Sequence, residues 1–292
     1  MRILVALVAA AAAATPVVVA KIPVAQYAAP CAAAAGGRYV WVSEYGAPYL
    51  LKIDPRRNKV VAKTRIGSGS CGLGYGAGSL WIEDTNSSAV SRVSASTGKR
   101  IRAIRVGISP YDTTFAYGAA WATAYGTGDL ERIDPARNAV VKRWALAQAT
   151  GVVGAFGSVW AAGTDGVLRV DPATNTVLAR IAVDGGAGWT AASADAVWVT
   201  TPKGVARIDP QTNAVIATVV LAGAPFLGDP DVLGGMLWVP QIRKNTIAVI
   251  DPASNTVVQT VKAGTGPFVV TQIGGEAWIP SWKGHDIWRL RP

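Results

Sequence analysis

The side chains best suited to proton transfer in this sequence are one imidazole, His285, and two carboxylates, Glu44 and Glu83. His285 lies in Trp282-Lys283-Gly284-His285-Asp286, and an unperturbed imidazole titrates near neutral pH. Glu44 and Glu83 close the segments Trp41-Val42-Ser43-Glu44 and Trp81-Ile82-Glu83. These three are weak catalytic candidates. A single His excludes a His cluster and a two-His zinc helix, and two Cys exclude a four-Cys zinc site. No metal site and no cofactor is therefore expected. Tyr45, Tyr111, Tyr125, Phe268 and Trp282, with Arg243, Lys244, Lys283 and His285, are candidate ligand-binding residues. Aromatics mixed with scattered cations suit a small-molecule, glycan or protein ligand. Ordinary solvated loops are the competing reading.

The elements that must position these residues come from an internal repeat. Trp41, Trp81, Trp121, Trp160, Trp198, Trp238 and Trp278 recur every 38 to 40 residues. About ten residues after most of them comes an Ile/Val-Asp-Pro marker, at Ile53, Ile133, Val170, Ile208 and Ile250. The second repeat carries a degenerate Val93-Ser94-Ala95, and the seventh stops at Leu290-Arg291-Pro292. Each repeat holds four short strand-like runs with turn signals between them, which is the blade unit of a β-propeller. The expected fold is all-β: seven blades of four antiparallel strands in one domain, residues 15–292. Val18-Val19-Ala20-Lys21 repeats the outer-strand sequence Val60-Val61-Ala62-Lys63, so the N-terminus is expected to supply the missing strand of blade 7.

The repeat also sorts structural residues from candidates. The seven Trp are expected to pack between blades. The marker Asp is expected to hold a turn. Two positions before it stand Lys52, Arg92, Arg132, Arg169, Arg207 and Arg289, with Val249 the exception; a cation recurring at one strand position reads as a structural partner. Loops after the Trp strands and the starts of first strands share one mouth of the ring. Cys31 and Cys71 each precede a marker Trp by ten residues and so occupy equivalent places in neighbouring blades. Export favours a disulfide between them, whereas the splay of neighbouring first strands argues against one. The sequence leaves both states open.

Trp41-Val42-Ser43-Glu44 followed by Leu51-Lys52-Ile53-Asp54-Pro55 resembles the blade consensus of streptogramin lyase-like (virginiamycin B lyase-like) propellers. The Asp-Pro, Thr-Asn and Val-Val pattern of repeats four to six is similar to the surface-layer, or YVTN, propellers. The resemblance covers nearly the whole chain and implies the propeller fold. The lyases look like metal-assisted eliminases that use histidines and a glutamate from inner strands and top loops. With His285 alone, that chemistry does not carry over residue by residue.

Met1-Arg2 and the apolar run Ile3 to Ala14 read as a signal peptide, residues 1–14, with cleavage after residue 20 as the alternative. No segment is long and apolar enough for a transmembrane helix. A secreted or periplasmic, cell-envelope location is expected. The formal charge of +10 is local: residues 52–143 hold 15 basic and 7 acidic residues. This basic flank of blades 1–3 suits an anionic envelope polymer or lipid head groups, edge protection being the plainer explanation. Nucleic acid fits poorly, because aromatics do not interleave with the basic run. The expected function is an exported binding or scaffold module of the cell envelope, with ligand unknown; the alternative is a lyase or hydrolase acting at the channel mouth.

Overall fold

Seven indoles, none more than 2% exposed, mark the seven joints of the molecule. Trp41, Trp81, Trp121 and Trp160 each donate the indole N–H to a backbone carbonyl five residues earlier, at the turn out of the first strand, at 3.0–3.3 Å. Trp198 uses the Ser193 hydroxyl there instead. The ring body then packs on the next blade. Trp41 meets Leu80 and Ile82, Trp121 meets Val159, and Trp278 meets Val40 and Val42. Seven such apolar clusters fill the seven joints, and an eighth lies at one mouth of the channel.

The computed structural model describes residues 15–223 and 226–292; the expected signal segment, residues 1–14, lies outside them. The described residues form seven four-stranded antiparallel sheets. Six are built from consecutive strands. In the seventh, Thr271–Ile273, Glu276–Pro280 and Asp286–Arg291 are joined by the N-terminal strand Val17–Pro23. It pairs from Val17 opposite Arg291 to Pro23 opposite Asp286, so first and last strands close the ring. No helix among the described residues is long and apolar enough to cross a membrane.

The marker residues work as a clasp. In the full markers Asp Oδ1 accepts the N–H two residues on, as Asp134 does from Ala136 at 2.7 Å. Three residues after the marker Pro, an Asn takes positive φ, from Asn58 at 51° to Asn175 at 61°, a conformation that Asn tolerates. The Arg of the preceding blade reaches across to this turn. Arg132 Nη1 donates to Pro172 O and Asn175 Oδ1, Arg169 to Pro210 and Asn213, and Arg207 to Pro252 and Asn255. Arg92 and Arg289 do the same to the turns of blades 3 and 1. Each guanidinium also lies over its own blade's marker Trp, 4.4–5.5 Å from the ring centroid.

The two exceptions follow from this pairing. Lys52 faces blade 2, whose marker is the degenerate Val93-Ser94-Ala95, and its ammonium sits over Tyr39 and Trp41 instead. Val249 faces blade 7, whose outer strand is Val17–Pro23, so no marker turn joins its third and fourth strands. An Arg stands at this position wherever the following blade offers the Pro carbonyl and Asn side chain, and nowhere else.

Candidate functional site

First strands line the central channel, and their starts converge on one mouth. Cys31 of blade 1 and Cys71 of blade 2 are joined there by a disulfide, with Cα atoms 5.0 Å apart. The splay between neighbouring first strands is small enough at this end for a bond. The two cysteines pack with Trp189, Ile242, Phe268 and Val269, and Tyr111 and Trp282 lie against the same cluster.

The aromatic rings form a continuous layer. Tyr45 meets Trp282 edge-on at 5.9 Å, and Trp282 meets Phe268 at 5.5 Å. Phe268 meets Trp189 edge-on at 5.1 Å; Trp189 stacks on Tyr111 at 5.3 Å, and Tyr111 contacts Tyr125 at 5.4 Å. Edge-to-face and offset contacts at such distances are favourable ring geometries. Rings from blades 1, 3, 5 and 7 thus meet across the mouth. Above them lies a cavity of about 130 Å³, lined by Tyr45, Glu83, Tyr111, Trp189, Phe226 and Phe268 among others. A second hollow of about 230 Å³ opens on the far side of Trp189, against Thr164, Gly186 and Thr200.

Glu83 and Glu44 are both buried but do not share a role. Glu83 stands two residues after Trp81, Glu44 three after Trp41, and alternate residues of a strand face opposite sides. Only Glu83 reaches the mouth. Its Oε1 accepts the Cys71 and Gly72 backbone N–H groups, and Oε2 lies 3.0 Å from the Thr85 hydroxyl. Burial pushes its carboxyl well above the usual range, and the backbone and Thr85 hydrogen bonds only partly offset that. Glu44 is turned away from the cavity, both its oxygens lack a protein partner, and burial raises its pKa as well.

The remaining candidates divide. Tyr45, Tyr111, Phe268 and Trp282 line the cavity, and Tyr125 supports Tyr111. Arg243 lies over the Phe226 ring at 5.8 Å and Lys283 over Trp282 at 5.8 Å, so two cations stand on the rim. Lys244 instead donates to the Ala222 carbonyl at 2.7 Å. His285 is exposed, outside the cavity lining, with its ring edge-on to Tyr27 at 6.4 Å. Trp189, the residue at the centre of the layer, is absent from the sequence-derived candidates. Its signal is positional: it precedes Trp198 by nine residues, nearly the offset that places Cys31, Cys71, Tyr111 and Phe268.

Beneath the layer is a channel cavity of about 350 Å³ that shares Cys71 and Trp189 with the mouth. Asp112 from blade 3 and Asp229 and Asp231 from blade 6 line it. Burial pushes Asp112 up to about 6, against hydrogen bonds from the Thr113 and Val152 N–H groups. Asp229 is raised well above the ordinary range, by burial first and then by the charges of Asp112 and Asp231. Acids this close resist ionising together. A group whose folded pKa is raised favours the fold at low pH, and that contribution is lost as pH rises from about 4 through the folded value. Asp229→Asn should therefore melt above wild type at pH 7, with the gap closing at pH 4. Thermal melts at both pH values test this; a variant less stable than wild type at pH 7 contradicts it. Among the described residues no group of three or more His, Cys, Asp or Glu side chains is arranged to hold a metal ion.

The class these features define is a seven-bladed β-propeller, ring-closed by its first strand, with an aromatic layer across one mouth. A family model described as a repeat of unknown function (DUF6923) matches residues 53–197. No curated protein matches the chain. Among solved structures, a streptogramin B lyase is similar with TM-score 0.82 and 13% identity over 97% of this chain and 99% of that one. Virginiamycin B lyase from Staphylococcus aureus gives 0.79 and 14% over 94% and 98%. BamB from Moraxella catarrhalis gives 0.69 and 12% over 96% and 98%. At these identities the likeness is one of fold, and it agrees with the resemblance carried by the blade sequence.

Proposed function

We propose that this chain is an exported propeller of the cell envelope that binds, without chemical change, a single aromatic ring borne by a small molecule or a partner. The observation that carries the reading is the aromatic layer. It closes the mouth between the loops and the channel acids, and it leaves above itself a hollow of about 130 Å³ bounded by ring faces and edges. An apolar cavity of roughly 150 Å³ suffices for one benzene ring. Export is supported by the basic start and apolar run at the N-terminus and by the cysteine pair, which suits an oxidising compartment.

The test uses p-cresol as probe. A ligand of this size is expected to bind in about the millimolar range. Saturable chemical-shift changes in the indole N–H region should appear on titration. Trp189→Ala should weaken binding about tenfold or more, since it removes the ring that two partners stack against. Non-saturable shifts, or an unchanged affinity in Trp189→Ala, count against the reading. The lyase alternative would require ring-opening of a macrocyclic ester, visible as a mass change on incubation with virginiamycin B. The position of His285 outside the cavity gives it no support.

A further inference from the structure

The outer edges of blades 1 and 2 carry a density of positive charge that no salt bridge among the described residues neutralises. Apart from the clasp residue Arg92, nine Lys and Arg side chains lie between Arg56 and Arg105, and all are exposed. None forms a salt bridge among the described residues, whereas Arg137 and Arg143 of blade 3 do. The outer strands themselves, Lys59–Arg65 and Arg100–Arg105, hold three cations each. The two acids in the same stretch, Glu83 and Asp84, are both buried.

Edge protection does not account for this. The outer strands of blades 4, 5 and 6 have the same unpaired edge. They are Val177–Ile181, Ala214–Val220 and Thr256–Lys262, with one, no and one cation. Blade 5 leaves Ile216 54% and Val220 67% exposed on that edge. An edge of this ring therefore tolerates aliphatic residues, and the charge on blades 1 and 2 answers another demand.

We propose that the outer edges of blades 1 and 2 form a binding track for a flexible linear polyanion, an acidic polysaccharide. Register places Lys63 with Arg65, and Arg100 with Arg105, on one face of their strands and Lys59 and Arg102 on the other, so each edge presents a short row of cations to both of its faces. Two of seven blades turn through roughly 50° between neighbouring edges, so the rows follow a curved rim. A flexible chain can lie along both rows, while a flat bilayer meets one edge at a time. The exposed apolar residues among the cations are aliphatic, Val61 and Ile101, and offer no ring on which a nucleic acid base could stack. The track faces outward from the ring and is independent of the mouth.

Binding of polygalacturonate to the full chain, measured by calorimetry from about 50 to about 300 mM salt, tests the proposal. Affinity should fall linearly in log–log form with salt. Arg100→Gln/Arg102→Gln/Arg105→Gln should weaken it about tenfold and lower the salt slope by roughly 2–3. Arg180→Gln/Lys203→Gln/Lys262→Gln removes the same net charge elsewhere and should stay within about twofold of wild type. Circular-dichroism melts establish that both variants fold. Three results overturn the proposal: no binding by wild type, equal losses in the two variants, or tighter binding to duplex DNA or phosphatidylglycerol vesicles than to polygalacturonate.

Discussion

A chain beginning at Val24 is expected to lose the native propeller, whereas one beginning at Thr15 keeps it. Removal of Val17–Pro23 leaves blade 7 with three strands and strips one of the two hydrogen-bonding partners from Asp286–Arg291. Ile22 does more than extend a sheet. It is 1% exposed and packs in one cluster with Ile287 and Trp278 of blade 7 and Val40, Val42 and Leu51 of blade 1. Its loss removes about 1.5–3 kcal/mol of apolar burial, and the truncation also cuts the direct chain link between blade 7 and the first strand of blade 1, Pro30–Gly36. The ladder bonds add about 1 kcal/mol each. The total is comparable with the 5–15 kcal/mol that holds a typical domain together. Denaturant unfolding of the two chains, followed by near-ultraviolet circular dichroism of the buried indoles, reads the difference. Ile22→Asp in the longer chain should reproduce much of the loss with the strand still present. Equal midpoints for the chains starting at 15 and 24 would show that the ring closes without the strand.

The same dependence on repetition explains what was readable in the sequence. The seven Trp and the Asp-Pro-x-x-Asn turns recur because every joint needs the same plug and the same clasp. Period alone therefore yields the blade count, the closing strand and the structural role of the arginines. Even the exceptions at Lys52 and Val249 become legible once each cation is matched to the turn of the next blade. The mouth repeats a position but not a residue type: nine or ten residues before a marker Trp stand Cys31, Cys71, Tyr111, Trp189 and Phe268. Trp189, Tyr111 and Phe268 meet because three different first strands begin there, and nothing local distinguishes Trp189 from a core residue. Asp112 and Asp229, from blades 3 and 6, line one channel cavity, and each stands nine residues before its marker Trp; the other blades carry Ala, Gly, Trp or Val at that place, so the offset alone does not single them out. Glu44 and Glu83 look alike in sequence, yet one residue of register puts them on opposite sides of their strands. The cysteine pair was open for the opposite reason: its equivalence was visible, but the distance between neighbouring strand starts was not.

Arg289→Ala should destabilise the ring by about 3–5 kcal/mol, more than the loss of any other clasp arginine. Arg289 is the only clasp residue to join the last blade to the first, and its side chain is 11% exposed. Nη1 donates to Pro55 O at 2.7 Å and to Asn58 Oδ1, while Nε and Nη2 hold Glu276 Oε2 at 2.9 and 2.5 Å. Arg132 makes the corresponding bonds to Pro172 and Asn175 without a paired acid, so Arg132→Ala should cost nearer 2 kcal/mol. Truncation of Arg289 leaves Glu276 8% exposed and held by Arg291 alone. Burial raises the Glu276 pKa, but the bonds from Arg291 and Arg289 outweigh it and hold the group below its ordinary value. A lowered folded pKa contributes stability above the ordinary carboxylate range, and that contribution disappears as pH falls through the folded value. The gap between wild type and Arg289→Ala should accordingly be widest at pH 7 and narrow towards pH 3. Arg289→Lys should recover little, because an ammonium cannot fork between the Pro55 and Asn58 oxygens and the Glu276 carboxylate. Urea unfolding of the three proteins at both pH values measures all of this. A pH-independent gap, or full rescue by lysine, would mean that Arg289 acts through packing on Trp278 rather than as the ionic clasp of the closing joint.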